Sequence, residues 1–177
     1  MSSHDSVGLD SQCLTYMIDA MQRIVKPEDS LADERISLVR VFLYTSKTFF
    51  VSESVLEEVA KIRVKDRRAL HDSYVSVLFI EPPVSNRDRV ERRAGELFAL
   101  HPHDRDCRIL AEAEDLELKV LLSYDKDFLS RLGCASDSVR LLRPSVYWRS
   151  LRIPRGKRPS FIPHRTNALS KQNWWKW

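Results

Sequence analysis

At 177 residues and 20.7 kDa the chain has room for one domain of ordinary size and little more. Apolar residues at 43% supply a core and charged residues at 31% a solvated surface, while four glycines and eight prolines exclude a collagen-like or low-complexity chain. The formal charge of +4 joins two unlike parts: Arg143 to Trp177 holds nine Lys and Arg and no Asp or Glu, whereas residues 1–142 hold 20 basic and 25 acidic residues, a net of −5.

Val7-Gly8-Leu9 reads as an opening strand that ends at Asp10. Cys13 to Ile24 has helical spacing, with Cys13, Met17, Ala20, Met21 and Ile24 on one side, and Lys26-Pro27 ends it. A second helix spans Ser30 to Tyr44. Thr48 to Val51 is a strand, and Ser52 stands as the cap of a helix through Val55, Leu56, Val59 and Ile62. Arg67 to Ile80 is helical, stopped by Glu81-Pro82-Pro83 with a short strand close by. Arg89 to Leu100 is a helix with a charged outer face. After Pro102, Asp104 or Asp106 begins a helix through Ile109, Leu110, Ala113 and Leu116. Lys119 to Ser123 is a buried strand, Asp127 to Leu132 a short helix, and Val139 to Leu142 a last strand before Pro144. The coarse order βααβααβαβαβ predicts an α/β fold with a mostly parallel central sheet and helices on both faces.

No run of 18 apolar residues occurs, so no membrane span is expected. Met1-Ser2-Ser3-His4-Asp5 lacks the basic-then-apolar pattern of a secretory signal. Cys13, Cys107 and Cys134 have no paired spacing and are expected to be buried free thiols in a reducing, cytoplasmic setting. The four glycines never cluster, which argues against a P-loop or a dinucleotide fold.

Ligands in open α/β sheets bind beyond the carboxyl ends of the strands. Asp10, Asp125 and Asp127 follow strands, and Glu58 and Asp106 lie in the first turns of helices that share that edge. Each Asp is also a good helix N-cap. Carboxylates gathered together repel one another unless a hard cation sits among them, and Mg²⁺ or Mn²⁺ prefers such oxygen ligands.

Leu9-Asp10-Ser11-Gln12-Cys13-Leu14 resembles the opening motif of PIN-domain ribonucleases, an apolar strand followed by Asp, then Ser or Thr, then usually Asn. Val55-Leu56-Glu57-Glu58-Val59 resembles their second motif, with Glu three residues after a β-branched residue. Asp106-Cys107-Arg108-Ile109-Leu110-Ala111-Glu112-Ala113 is similar to the third, and Leu121-Leu122-Ser123-Tyr124-Asp125-Lys126-Asp127-Phe128 to the fourth. Val139-Arg140-Leu141-Leu142-Arg143-Pro144 resembles the closing strand and its proline. The likeness covers roughly residues 5 to 148.

The resemblance implies a three-layer α/β/α PIN-like fold over 1–148 and a nuclease that hydrolyses RNA with Mg²⁺ or Mn²⁺ through a metal-activated water. The matching carboxylates are Asp10, Glu58, Asp106 and Asp125, with Asp127 as an additional metal ligand. Asp104 is the rival of Asp106, and Glu57 of Glu58. Ser11 and Ser123 match supporting hydroxyl positions, and Gln12 replaces the usual Asn with a longer arm. The family further implies a toxin role with a small antitoxin partner, and a homodimer. A non-catalytic PIN-like RNA-binding or structural module is the alternative.

The segment 149–177 is a basic, Trp-rich extension. All four tryptophans, Trp148, Trp174, Trp175 and Trp177, fall after Arg143. Tyr147 and Trp148 are expected to pack on the body. Arg149, Arg152, Arg155, Lys157, Arg158, Trp174 and Trp175 are candidates for RNA contact through phosphate neutralisation and base stacking. Docking of the tail on the body, or on a neighbouring subunit, is the competing expectation.

Overall fold

The computed structural model describes residues 6–22 and 26–177. Four short strands form one parallel sheet: β1 (Ser6–Leu9), β2 (Thr48–Phe50), β3 (Val120–Leu122) and β4 (Arg140–Leu142), in the order β2-β1-β3-β4. In register, Val7 lies beside Phe49 and Val120, and Leu121 beside Leu141. The helices are α1 (Ser11–Gln22), α2 (Ala32–Tyr44), α3 (Glu53–Ala60), α4 (Lys65–Leu78), α5 (Arg87–Phe98), α6 (Asp104–Asp115), α7 (Lys126–Leu132) and α8 (Pro144–Ser150). They flank the sheet in a three-layer α/β/α arrangement. The predicted fold class is therefore borne out, and the sheet is wholly parallel.

The central strands are continuous apolar runs because both faces are covered. Val7, Leu9, Val120, Leu121 and Leu122 are all buried. Gly8 lets Leu118 and Leu121 pack close, since a Cβ there would lie 2.9 Å from Leu118 Cδ1 and push that side chain aside.

Two differences from the sequence expectations have local causes. The strand expected near Glu81 reduces to a single bridge from Ile80 to Phe50, because Pro82 and Pro83 cannot extend the ladder. Pro144, placed after the last strand, opens a helix not expected there, α8, from its first turn, where a missing N–H costs nothing. The first helix is described to Gln22, so Ile24 lies outside the described residues.

Several helices are started by carboxylates from other helices. Ser52 occupies the cap position of α3, but its hydroxyl makes no capping bond. Glu112 of α6 takes that role, accepting from the Ser54 N–H at 3.1 Å and the Ser54 hydroxyl at 2.7 Å. Glu34 of α2 does the same for α8, accepting from the Ser145 N–H at 2.9 Å and the Ser145 hydroxyl at 2.9 Å. Asp115 accepts from the Ser85 N–H at 2.7 Å, bracing the turn ahead of α5, and pairs with Arg89 at 2.6 Å. Those bonds and the Arg89 charge outweigh burial and hold the Asp115 carboxyl below its usual value. Part of the acidic excess of the body is thus spent on helix starts.

The C-terminal segment packs on the body. Trp175 is buried and donates its indole N–H to the Leu169 carbonyl at 2.8 Å. Trp177 donates through its backbone N–H to the Tyr44 hydroxyl at 2.8 Å and meets Trp148 edge-on at 5.5 Å. Arg40 of α2 bonds the carbonyls of Trp175 and Lys176 at 3.1 and 3.0 Å. Tyr147 and Trp148 are buried as expected. Cys13 and Cys107 are buried free thiols, but Cys134 is exposed, contrary to expectation, because it follows α7 in a surface turn. Among the described residues no helix is long and apolar enough to cross a membrane.

Candidate active site

β1 delivers Asp10 to the carboxyl edge of the sheet, and its backbone N–H continues the ladder to the Leu122 carbonyl at 3.1 Å. The side chain turns inward. Asp10 Oδ1 accepts from the Cys13 N–H at 2.6 Å, and the residue is 4% exposed. Burial pushes its carboxyl up to about 6, with the negative charge of Asp106 adding to the rise and hydrogen bonds from Ser123 and Cys13 opposing it. Burial, then the Asp10 charge, also push the Cys13 thiol well up, so it is no nucleophile at neutral pH.

β3 supplies the neighbouring groups. Ser123 is fully buried, and its hydroxyl accepts from the Asp125 N–H at 3.0 Å. Asp125 caps α7, its Oδ1 accepting from the N–H groups of Asp127 at 2.8 Å and Phe128 at 3.0 Å. Gln12 Nε2 reaches Asp125 Oδ2 at 3.5 Å, so the longer amide still finds a carboxylate. Asp127 is exposed.

α6 runs back towards the start of β3, so its first turn faces the same edge. Asp106 is half-buried there, and Asp104 is exposed. His101 Nε2 lies 2.7 Å from Asp106 Oδ2. The His101 ring is buried and stacks in parallel with Phe128 at 6.2 Å. On α3, Glu58 is half-buried beside Ser11 and Gln12 in an open hollow of about 400 Å³. Glu57 is exposed and lines a different cleft with Glu53 and Arg87. The Glu58 carboxylate forms an ion pair with Arg105.

Asp10, Asp106, Ser123, Asp125 and Gln12 thus form one connected patch. Glu58 borders it but is held by Arg105, and neither Asp104 nor Asp127 joins it through a side-chain bond described here. Among the described residues, no group of three or more His, Cys, Asp or Glu side chains stands ready to hold a metal ion. The donor chemistry at Asp10 and Asp106 nevertheless fits a hard divalent cation. Both offer oxygens, and a carboxyl raised by burial and a like neighbour is one that a cation would relieve. Mg²⁺ or Mn²⁺ would be held by these two, with Asp125 and Glu58 available once released from the α7 amides and from Arg105.

Sequence reasoning missed four residues at this edge. His101 lies in a turn with no periodic signal. Arg35 comes from the first turn of α2, distant in sequence. Tyr124 was read only as part of a motif, and Tyr16 had a detectable sign, lying four residues after Gln12 on one helical face.

The basic tail is elsewhere. α2 carries Glu34 and Arg35 at the carboxyl edge and ends at Tyr44, next to the start of β2. The Trp177 contacts at Tyr44 therefore lie at the opposite edge from Asp10. Trp175 is buried, so its ring is not available to stack on a base; this corrects its place among the RNA-contact candidates. Trp174 is half-buried against the core, and Arg155 lies over the Trp177 ring at 4.9 Å. Arg149, Arg152, Lys157 and Arg158 are exposed.

The largest cavity described, about 590 Å³, is lined mainly by apolar groups such as Met17, Leu43, Phe49 and Phe161 and shares no residue with the carboxylate patch.

No family model matches the chain, and no curated protein matches it in sequence. A similar solved structure is that of VapBC2 from Rickettsia felis bound to a DNA fragment from their promoter. The likeness has 16% identity and a TM-score of 0.49, covering 77% of this chain and 97% of that chain.

Proposed function

We propose that this chain is a divalent-cation-dependent ribonuclease whose cleavage centre is the carboxylate patch of Asp10 and Asp106, flanked by Asp125 and Glu58. The observation that carries the reading is the buried Asp10 carboxyl, raised to about 6 beside a second acid. Burial of an acid with a second acid nearby disfavours its charged form, and a bound cation would relieve both, which supports a cation site here. The four sequence motifs, in order along the chain, support RNA as the substrate.

When bound, Mg²⁺ or Mn²⁺ supplies the positive charge that activates water and neutralises the phosphodiester. The protein's own groups set the geometry. Ser123 and the Cys13 N–H orient Asp10, His101 orients Asp106, and Gln12 reaches Asp125 across the mouth of the site. Water attack at phosphorus with departure of the 3′ oxygen leaves 5′-phosphate and 3′-hydroxyl ends. A toxin role with a small antitoxin partner, and a homodimeric state, extend the proposal on the motif resemblance alone.

One observation favours a second reading, a non-catalytic RNA-binding module: Glu58 is already paired with Arg105. A single experiment separates the two. Single-stranded RNA and DNA are incubated with the chain in Mg²⁺, Mn²⁺ or chelator, beside Asp10→Asn. Cation-dependent loss of RNA, abolished in a folded Asp10→Asn chain, is the expected result. RNA bound but uncut under all conditions supports the second reading, and full-rate cleavage by Asp10→Asn removes the first.

A further inference from the structure

We propose that the hollow beside Asp10 seats one unstacked nucleobase of the RNA strand, against a platform made by Tyr16 and Arg35. The subsite rests on the ribonuclease reading: Ser11 and Gln12, which line the hollow, directly follow Asp10 in the chain, and Glu58 lines it too.

The platform is built from two helices. Gln12 and Tyr16 lie one turn apart on α1 and project to the same side. From the first turn of α2, the Arg35 guanidinium carbon lies 4.7 Å from the centre of the Tyr16 ring. Arg35 is held by an ion pair with Asp29 and lines the hollow together with Tyr124. Tyr124 in turn donates to the Gln12 carbonyl at 3.0 Å. Tyr16, Arg35, Tyr124 and Gln12 therefore form one braced wall that ends at Asp125, a member of the acid patch. Flat cationic and aromatic surfaces of this kind are what unpaired RNA bases stack on.

Size and rim chemistry select the ligand. At about 400 Å³ the hollow is in the range that holds a small organic group. Its rim carries the Gln12 side-chain amide and the carboxylates of Asp19 and Glu58, which pair with Arg67 and Arg105. Paired carboxylates keep lone pairs free, and together with the Gln12 amide they can accept from and donate to the edge of a base. A flat base is the occupant that the Tyr16–Arg35 face and this polar rim match.

The test reads binding, not cleavage. Labelled single-stranded RNA is titrated into the chain in chelator and followed by fluorescence anisotropy, using intact RNA and RNA with an abasic residue at successive positions. The proteins are the parent, Tyr16→Ala, Tyr16→Phe and Arg35→Gln, each checked for folding by circular dichroism. Tyr16→Ala is expected to weaken binding roughly tenfold, and one abasic position to do the same in the parent. The two losses overlap when combined, and Tyr16→Phe binds like the parent. Equal binding of intact and abasic RNA, or unchanged binding by folded Tyr16→Ala, overturns the subsite. If Tyr16→Ala does not fold, the abasic series on the parent and Arg35→Gln decide. Failure here with cleavage still abolished in Asp10→Asn leaves the ribonuclease reading standing; full-rate cleavage by Asp10→Asn removes that reading, whatever the anisotropy shows.

Discussion

His101 Nε2 lies 2.7 Å from Asp106 Oδ2, in a ring that is 1% exposed. For this contact to be a hydrogen bond to the carboxylate, Nε2 must carry a proton. Nδ1 is buried without a hydrogen-bond partner. An N–H so placed fixes the direction in which Asp106 presents its other oxygen. His101→Ala is expected to lower cleavage on the order of 10- to 100-fold. His101→Gln, which keeps an N–H donor, should recover part of the loss. Cleavage rates and Mn²⁺ affinity measured on folded variants check this; equal rates for both variants and the parent would remove His101 from the site.

Asp10 ties function to a stability cost with a definite sign. Its carboxyl is raised from 3.8 to about 6 in the folded chain, so the folded state holds that proton more tightly than the unfolded state. The stabilisation is complete below about pH 4 and is lost as pH rises through about 6, a change on the order of 3 kcal/mol. Asp10→Asn carries no charge at any pH and escapes this loss. In chelator at about pH 7 it should melt about 5 °C or more above the parent, with the gap closing below about pH 4. Parallel melting curves across pH would contradict the account.

Arg105 occupies Glu58 from within the chain, one residue ahead of Asp106. Both partners are partly solvent-exposed, with side chains 46% and 23% accessible, so the pair adds at most about 1 kcal/mol to stability. Arg105→Met should therefore fold normally. It should also bind Mn²⁺ more tightly, by about tenfold, because one competing charge near the carboxylates is gone. Isothermal titration with Mn²⁺ reads the difference. An unchanged affinity would indicate that Glu58 takes no part in holding the cation.

Trp175 is 4% exposed and packs against Tyr44 and Leu169. Trp175→Ala is expected to cost about 3 kcal/mol or more in unfolding free energy. Truncation after Arg149 should lower the melting temperature, since it uncovers Tyr44 and Trp148. If truncation leaves stability intact and lowers only RNA affinity, the tail acts as an RNA-binding arm after all. Denaturant melts and a salt series on the same proteins distinguish these outcomes.

What the sequence made legible was local. Val120-Leu121-Leu122 followed by Ser123 and Asp125 can be read as buried strand, supporting hydroxyl and helix cap, because every cue lies within six residues. The choices between Asp104 and Asp106, and between Glu57 and Glu58, depend on which side of a helix faces the sheet, and that is a tertiary fact. The Arg105–Glu58 and His101–Asp106 contacts have no periodic signature, since one spans two helices and the other starts from an irregular turn. The tail misled because basic and aromatic composition suits both a nucleic-acid surface and a docked segment. Arg40, more than 130 residues away, decides it by bonding the carbonyls of Trp175 and Lys176.

The carboxylates that start other helices have a consequence for cooperativity. α3 and α8 have no bonded side-chain cap of their own, and their first turns are closed by Glu112 and Glu34. A peptide containing only Glu53–Ala60 lacks that partner and is too short to hold a helix alone. Fraying of these helices therefore also breaks bonds to α6 or α2. The backbone amides of Ser54 and Ser145 should exchange with solvent deuterium at the rate of global opening, while the amides of a locally capped element such as α7 exchange by smaller, separate openings. Distant acids thus couple peripheral helices to a single folding transition.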